Sequence, residues 1–196
     1  MTEIMTPHMS AAKIDLLNNS LARASHYLEY GIGGSTILAA QKSLQSIIAI
    51  DSSQEWINKV KTDIEKFAYS GSISLLHANL GTTADWGYPI DESMVKHWPQ
   101  YYASPWITYR ASGQSPDLIL IDGRFRIPCF LYSLIHCKPG TRILWDDYHN
   151  RPEYHFVENV LAPQGLVDDM AIFSASEDID KKLANIFLFE NIFNLD

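Results

Sequence analysis

The stretch Glu29-Tyr30-Gly31-Ile32-Gly33-Gly34-Ser35 puts a carboxylate, three glycines and a hydroxyl inside seven residues. Where an apolar strand runs into such a turn and then a helix, glycines let the backbone approach a ligand closely and the helix start offers free amides. Asp51 follows Gly31 by twenty residues, at the end of the apolar run 47–50. A carboxylate there can accept hydrogen bonds from both hydroxyls of a ribose. Together these residues describe a pocket for a nucleotide-like ligand. Glu29, directly before the glycines, can meet a cationic amino-acid end and would repel the pyrophosphate of a dinucleotide. Thr36, and no glycine, stands three residues after Gly33, which weakens the fit to a nicotinamide-dependent oxidoreductase. A solvated strand-end residue is the plain alternative for Glu29.

A second acidic group comes from Asp122 and, twenty-four residues later, Asp146-Asp147, each following an apolar run. Adjacent parallel strands lie ~4.8 Å apart, so carboxylates that end neighbouring strands converge at one edge of the sheet. Open α/β sheets bind their ligands at that edge. Converging carboxylates repel one another unless a cation balances them. A divalent metal such as Mg2+, held by Asp122, Asp146 and Asp147, is one solution, and Arg124, Arg126 or Arg151 is another. Arg124 and Arg126 flank Phe125, so in an extended turn both point to one side. There they can fork onto an anionic substrate, or form surface ion pairs. A histidine titrates near neutral pH, so His149 can serve as a general base or simply help to cap the helix after it.

Helical spacing and apolar runs alternate along the chain, as in a parallel sheet covered on both faces. Helices are expected over 10–23, 36–44, 52–69, 125–136 and 152–161, and strands over 26–30, 47–50, 73–77, 118–121 and 142–145. Runs 170–174 and 185–190, separated by only ten residues, read as a closing antiparallel pair. Trp56, Val60, Ile64 and Phe67 form the apolar stripe of helix 52–69, which places Trp56 in the core. Segment 79–116 differs, with Trp86, Tyr88, Trp98, Tyr101, Tyr102, Trp106 and Tyr109 and little periodicity. It is either a lid or substrate insertion, which would bring Trp86 to the ligand, or an extra structural layer. Residues 1–196 form one domain.

In these residues the chain resembles the class I S-adenosylmethionine-dependent methyltransferases, from about Tyr27 onward. YLEYGIGGST is similar to the first motif of that family, whose acidic residue and glycines surround the methionine part of the cofactor. The resemblance implies cofactor contacts from Glu29, Gly31, Gly33 and Ser35, from Asp51 at the ribose, and from Asn79, in HANLG, at the adenine amino group. It also implies an α/β fold: a three-layer αβα sandwich whose seven-stranded, mostly parallel Rossmann-like sheet ends with an antiparallel strand beside the fifth. IDGRFR and LWDDYHN resemble the small-molecule O-methyltransferase branch, in which aspartates after the fourth and fifth strands hold Mg2+ beside the substrate hydroxyl and lower its pKa. That branch carries further acidic or histidine residues after the first aspartate, where this chain has Gly-Arg-Phe-Arg. The implied activity is methyl transfer to a small molecule at oxygen, with Asp122, Asp147 and His149 catalytic and Arg124, Arg126 and Trp86 on the substrate. A cofactor-binding module that scaffolds or regulates a partner without transfer is the alternative.

Composition bounds the partners. Fifteen basic against 23 acidic residues give a net charge of −8, with no electrostatic footprint for a nucleic-acid backbone. The Asn-Pro-Pro-Tyr type of motif of base-methylating enzymes is absent from the sequence. No apolar run approaches the ~20 residues of a membrane span. The start, MTEIMTPHMSAAKID, lacks the basic and apolar regions of a signal peptide. Cys129 and Cys137 read as reduced and buried on one helix. The expectation is a cytoplasmic protein acting on a small molecule, away from membrane and nucleic acid, with an edge strand or aromatic segment through which a homodimer could form.

Overall fold

The computed structural model describes residues 4–196, so the first three residues of the N-terminal reading lie outside it. Its strands are β1 (His26–Tyr30), β2 (Ser46–Asp51), β3 (Ser72–His77), β4 (Leu118–Ile121), β5 (Arg142–Trp145), β6 (Gly165–Val167) and β7 (Met170–Ser174). They form one sheet in the order β3-β2-β1-β4-β5-β7-β6. The first five run parallel, and β7 lies antiparallel between β5 and β6. The central strands are nearly continuous apolar runs because both of their faces are buried.

Successive side chains alternate between those faces. Leu28, Tyr30, Ile48, Ile50, Ile119 and Ile121 enter one core, and Tyr27, Ile47, Ala49, Leu118 and Leu120 enter the other. Helices α1 (Ala11–Leu21), α2 (Gly34–Ala40) and α3 (Gln54–Ile64) cover the second core, while α4 (Gln100–Ser112), α5 (Arg126–His136) and α6 (Lys181–Asn191) cover the first. The result is the expected three-layer αβα sandwich. Local chemistry starts several helices: Ser10 accepts from the amide of Lys13, Ser53 from that of Trp56, and Asp180 from those of Lys182 and Leu183. Among the described residues no helix is long and apolar enough to cross a membrane.

Several expectations are corrected. Residues 185–190 belong to α6: Ala184 and Leu188, one helical turn apart, are buried in the core that α5 also builds. The strand that pairs with β7 is the short β6, which reaches it through a tight turn with Asp168 at φ 54°. Trp56 is 39 % exposed and Ile57 is buried in its place, because the Trp56 indole N–H reaches the carbonyl of Ile32, 2.6 Å away. Residues 152–159 form a tight 3-10 helix, and Cys137 lies just past α5 in extended backbone. Both cysteines are free and buried.

Segment 79–116 divides in two. Its second half is α4, the crossover between β3 and β4, with Tyr101, Tyr102, Trp106 and Tyr109 buried. The Trp106 indole N–H donates to the Tyr30 hydroxyl (2.8 Å), and the Tyr109 hydroxyl to the carbonyl of Tyr27 (2.9 Å). Its first half holds a small hairpin over 82–90, closed by Ala84 N–H to Tyr88 O (2.7 Å) and Ile90 N–H to Thr82 O (2.9 Å).

Candidate active site

Parallel register sets Tyr30, Ile50, Ile121 and Trp145 in one row. One step further, Gly31, Asp51, Asp122 and Asp146 share the carboxyl edge of the sheet. Gly31 adopts φ +99°, and a Cβ there would stand 2.7 Å from the Gly123 nitrogen, so this position requires glycine. The turn is held from within: Gly31 N–H donates to Ile50 O (2.9 Å) and Gly33 N–H to the Thr36 hydroxyl (3.0 Å). The two Asp51 oxygens accept from Ile32 N–H (3.1 Å) and Ser53 N–H (2.8 Å), joining the turn to the start of α3. Burial raises the Asp51 pKa and these amides oppose that shift. Above Gly33 there is open space, since a Cβ would meet nothing within 4 Å. Asn79 is exposed nearby at the end of β3, its side-chain oxygen accepting from Gly81 N–H (3.1 Å). The open turn, the half-buried Asp51 and the exposed Asn79 fit the adenosyl and amino-acid parts of the implied cofactor.

Glu29 does not stand at this edge. It shares the face of Tyr27, so it points beneath α2 and is fully buried. Its Oε1 accepts from the Ser35 hydroxyl, and its Oε2 has no partner among the described residues. Burial pushes its pKa up to about 8, against the pull of Ser35 and Thr36. A carboxyl that stays protonated at pH 7 repels no pyrophosphate, so the charge argument against a dinucleotide loses its basis. Glu29 and Ser35 support the turn from below.

Oxygens of Asp122, Asp146 and Asp147 lie within 4.8 Å of one another. Arg126 reaches Asp122 Oδ1 (3.3 Å) and Asp147 Oδ2 (3.1 Å), and its Nη1 also donates to the carbonyl of Asp146 (2.6 Å). Arg151 adds a longer pair to Asp147, at 3.6 Å. From α1, the buried Lys13 pairs with Asp146 (2.7 Å) and with Asp169. A divalent ion among these carboxylates would face a guanidinium and an ammonium, so the donor set does not fit a resident Mg2+. Asp122 is pushed up to about 7 by burial, with Arg126 opposing and Asp146 and Asp147 reinforcing.

The two neighbouring arginines part company. Phe125 takes a left-handed conformation (φ 55°). Arg126 turns to the carboxylates, whereas the Arg124 guanidinium lies 4.2 Å from the Tyr88 ring centre in the 82–90 hairpin. They do not fork together. Trp86, at the hairpin tip, is 81 % exposed and lines nothing here. His149 is exposed, with its ring beside that of His155, and makes no hydrogen bond to Asp122 or Asp147. Lys13, Tyr88 and Tyr101 were not singled out from the sequence as site residues. Lys13 had a legible signal, since it falls in line with Leu17 and Leu21 on the buried stripe of α1.

No protein-family model and no curated protein matches the chain. Solved structures do. A methyltransferase-like protein from Silicibacter pomeroyi superposes with a TM-score of 0.86 at 25% identity, covering 97% of this chain and 98% of that one. A precorrin 8w decarboxylase from Methanobacterium thermoautotrophicum (TM-score 0.53, 14% identity, 86% and 91% coverage) shares the fold. So does a ribosomal protein L11 methylase from Lactobacillus delbrueckii subsp. bulgaricus (0.51, 13%, 83% and 75%). The chain has the Rossmann-like fold of the class I S-adenosylmethionine-dependent methyltransferases.

Proposed function

We propose that this protein is an S-adenosylmethionine-dependent methyltransferase whose acceptor is a small molecule methylated at oxygen. The observation that carries this reading is Asp51, whose carboxylate ties the glycine turn to α3 beside the open space at Gly33. A ribose placed against Asp51 sets the methionine part along Gly31 and Gly33 and the adenine toward Asn79. The cofactor supplies an already activated methyl group, so the protein has to align an acceptor and exclude water. Asp122 is the base: its carboxylate, near neutral in pKa, takes the proton of an acceptor hydroxyl as the methyl arrives. Arg126, itself paired with Asp147, holds it in place. Trp86 and His149 take no part in this reading.

Isothermal titration with S-adenosylmethionine and S-adenosylhomocysteine tests it, and absence of binding by both at millimolar concentration ends it. A second reading, a cofactor-binding module without transfer, draws support from the pairing of Lys13 and Arg126 with the downstream carboxylates. It predicts that the cofactor binds while no S-adenosylhomocysteine forms across a panel of hydroxylated acceptors.

A further inference from the structure

Among the described residues, every buried cation at the carboxyl edge has a carboxylate partner except one. Lys13 is neutralised by Asp146 and Asp169, and Arg126 by Asp122 and Asp147. Arg124 is only 8 % exposed, and among the described residues it has no acidic partner. Its Nη1 is buried without any hydrogen-bond acceptor. A guanidinium keeps its charge inside proteins, and a buried charge lacking a counter-charge is costly. The Tyr88 ring offsets part of that cost through its face, yet it offers no acceptor to the in-plane N–H groups.

We propose that Arg124 anchors an anionic group of the acceptor, a carboxylate or a phosphate, beneath the 82–90 hairpin. The inference rests on the acceptor side of the methyltransferase reading and names the chemical class of its substrate. The guanidinium presents paired N–H donors that match two oxygens of either group. Its backbone is rooted, with N–H donating to the Tyr101 hydroxyl (3.2 Å), two residues after Asp122. Arg124 and Asp122 both lie on the loop that leaves β4, so an anion held by Arg124 and a hydroxyl at Asp122 can belong to one acceptor. The cover is closed by the Tyr88 hydroxyl donating to Asp196 Oδ1 (2.9 Å) and by the Ser52 hydroxyl, 3.4 Å from Gly87 O. Entry of the anion requires this hairpin to lift. In a chain of net charge −8, an unneutralised arginine is also what makes an anionic ligand tolerable at an edge lined by aspartates.

The test follows the side-chain 15N resonance of Arg124 during titration with inorganic phosphate, acetate and chloride at fixed ionic strength. The expected result is a saturable shift with phosphate or acetate and none with chloride. Saturation by phosphate alone assigns a phosphorylated acceptor, and saturation by acetate assigns a carboxylic acid. Arg124→Gln, which lacks that resonance and is followed with Arg124→Lys by calorimetric titration of the same anions, should weaken binding more than tenfold. Arg124→Lys, which keeps the charge and loses the fork, should weaken it about fivefold while melting like the wild type. An Arg124 resonance unmoved by both anions overturns the inference. A parallel titration with S-adenosylhomocysteine separates the two claims. Cofactor binding without anion binding sinks the anchor alone, and anion binding without cofactor binding upholds the anchor while the methyltransferase reading falls.

Discussion

The Tyr101 hydroxyl occupies the space that a Cβ on Gly123 would need, and accepts the backbone N–H of Arg124 from the same side (3.2 Å). The end of β4 is thereby clamped between the glycine turn and α4. Tyr101 is almost fully buried and cannot retreat, so Gly123→Ala should destabilise the protein by about 1–3 kcal/mol in chemical denaturation. Adding Tyr101→Phe to that variant should recover part of the loss. A Gly123→Ala variant with wild-type stability would show that the clamp is slack.

Asp51 makes a second prediction. Asp51→Asn keeps the shape but loses the charged acceptor for ribose hydroxyls, and hydrogen bonds to charged groups contribute about 1.5–3 kcal/mol. Affinity for S-adenosylhomocysteine should drop roughly 10- to 100-fold by calorimetry. An unchanged affinity removes the ribose assignment.

Glu29 makes the stability of the fold depend on pH. The folded protein holds its proton up to about pH 8, whereas the unfolded chain releases it near the ordinary carboxyl value of 4.5. Between those values the native state binds more protons, so this contribution to stability is present at low pH and is lost as pH rises through 8. The slope is at most about 1.4 kcal/mol per pH unit for one proton. Glu29→Gln stays neutral and should flatten the curve, gaining on the wild type steadily from pH 5 to pH 8. Parallel curves for the two proteins would place the proton elsewhere.

Arg126→Met leaves Asp122 and Asp147 facing each other without their cation. A fully buried pair broken in this way costs about 3–5 kcal/mol; with the Asp147 side chain 38% exposed, about 2–3 kcal/mol is expected. Millimolar Mg2+ should raise the melting temperature of this variant and leave the wild type unmoved. A wild-type protein stabilised by Mg2+ or inactivated by a chelator would restore the metal.

The parts of the fold that were legible before the structure are those whose pattern has one solution. The runs 47–50 and 118–121 are too apolar and too short for anything but buried strands, and the glycine turn between a strand and a helix needs no tertiary context. The stretch 185–190, Asn-Ile-Phe-Leu-Phe-Glu, alternates no better than it cycles, and its state is decided by α5, which buries Ala184 and Leu188. In α4 the apolar side chains wrap most of the circumference and Pro105 interrupts the spacing, which hides the helix. At the site, residue types alone indicated that Asp122, Asp146 and Asp147 need a cation. Which cation depended on the contact of Lys13 with Asp146, 133 positions away, and on the left-handed turn at Phe125 that separates Arg124 from Arg126.

The pairing of Lys13 with Asp146 has a consequence for the order of assembly. The two residues are 133 positions apart, so at about 5–20 residues per second the ribosome adds Asp146 roughly 7–27 s after Lys13. Asp169, the second partner of the same ammonium, follows later still. During that interval Leu17 and Leu21 can already find the first strands, while the other end of α1 has no counter-charge to bury against. The first helix to be made is among the last to be locked.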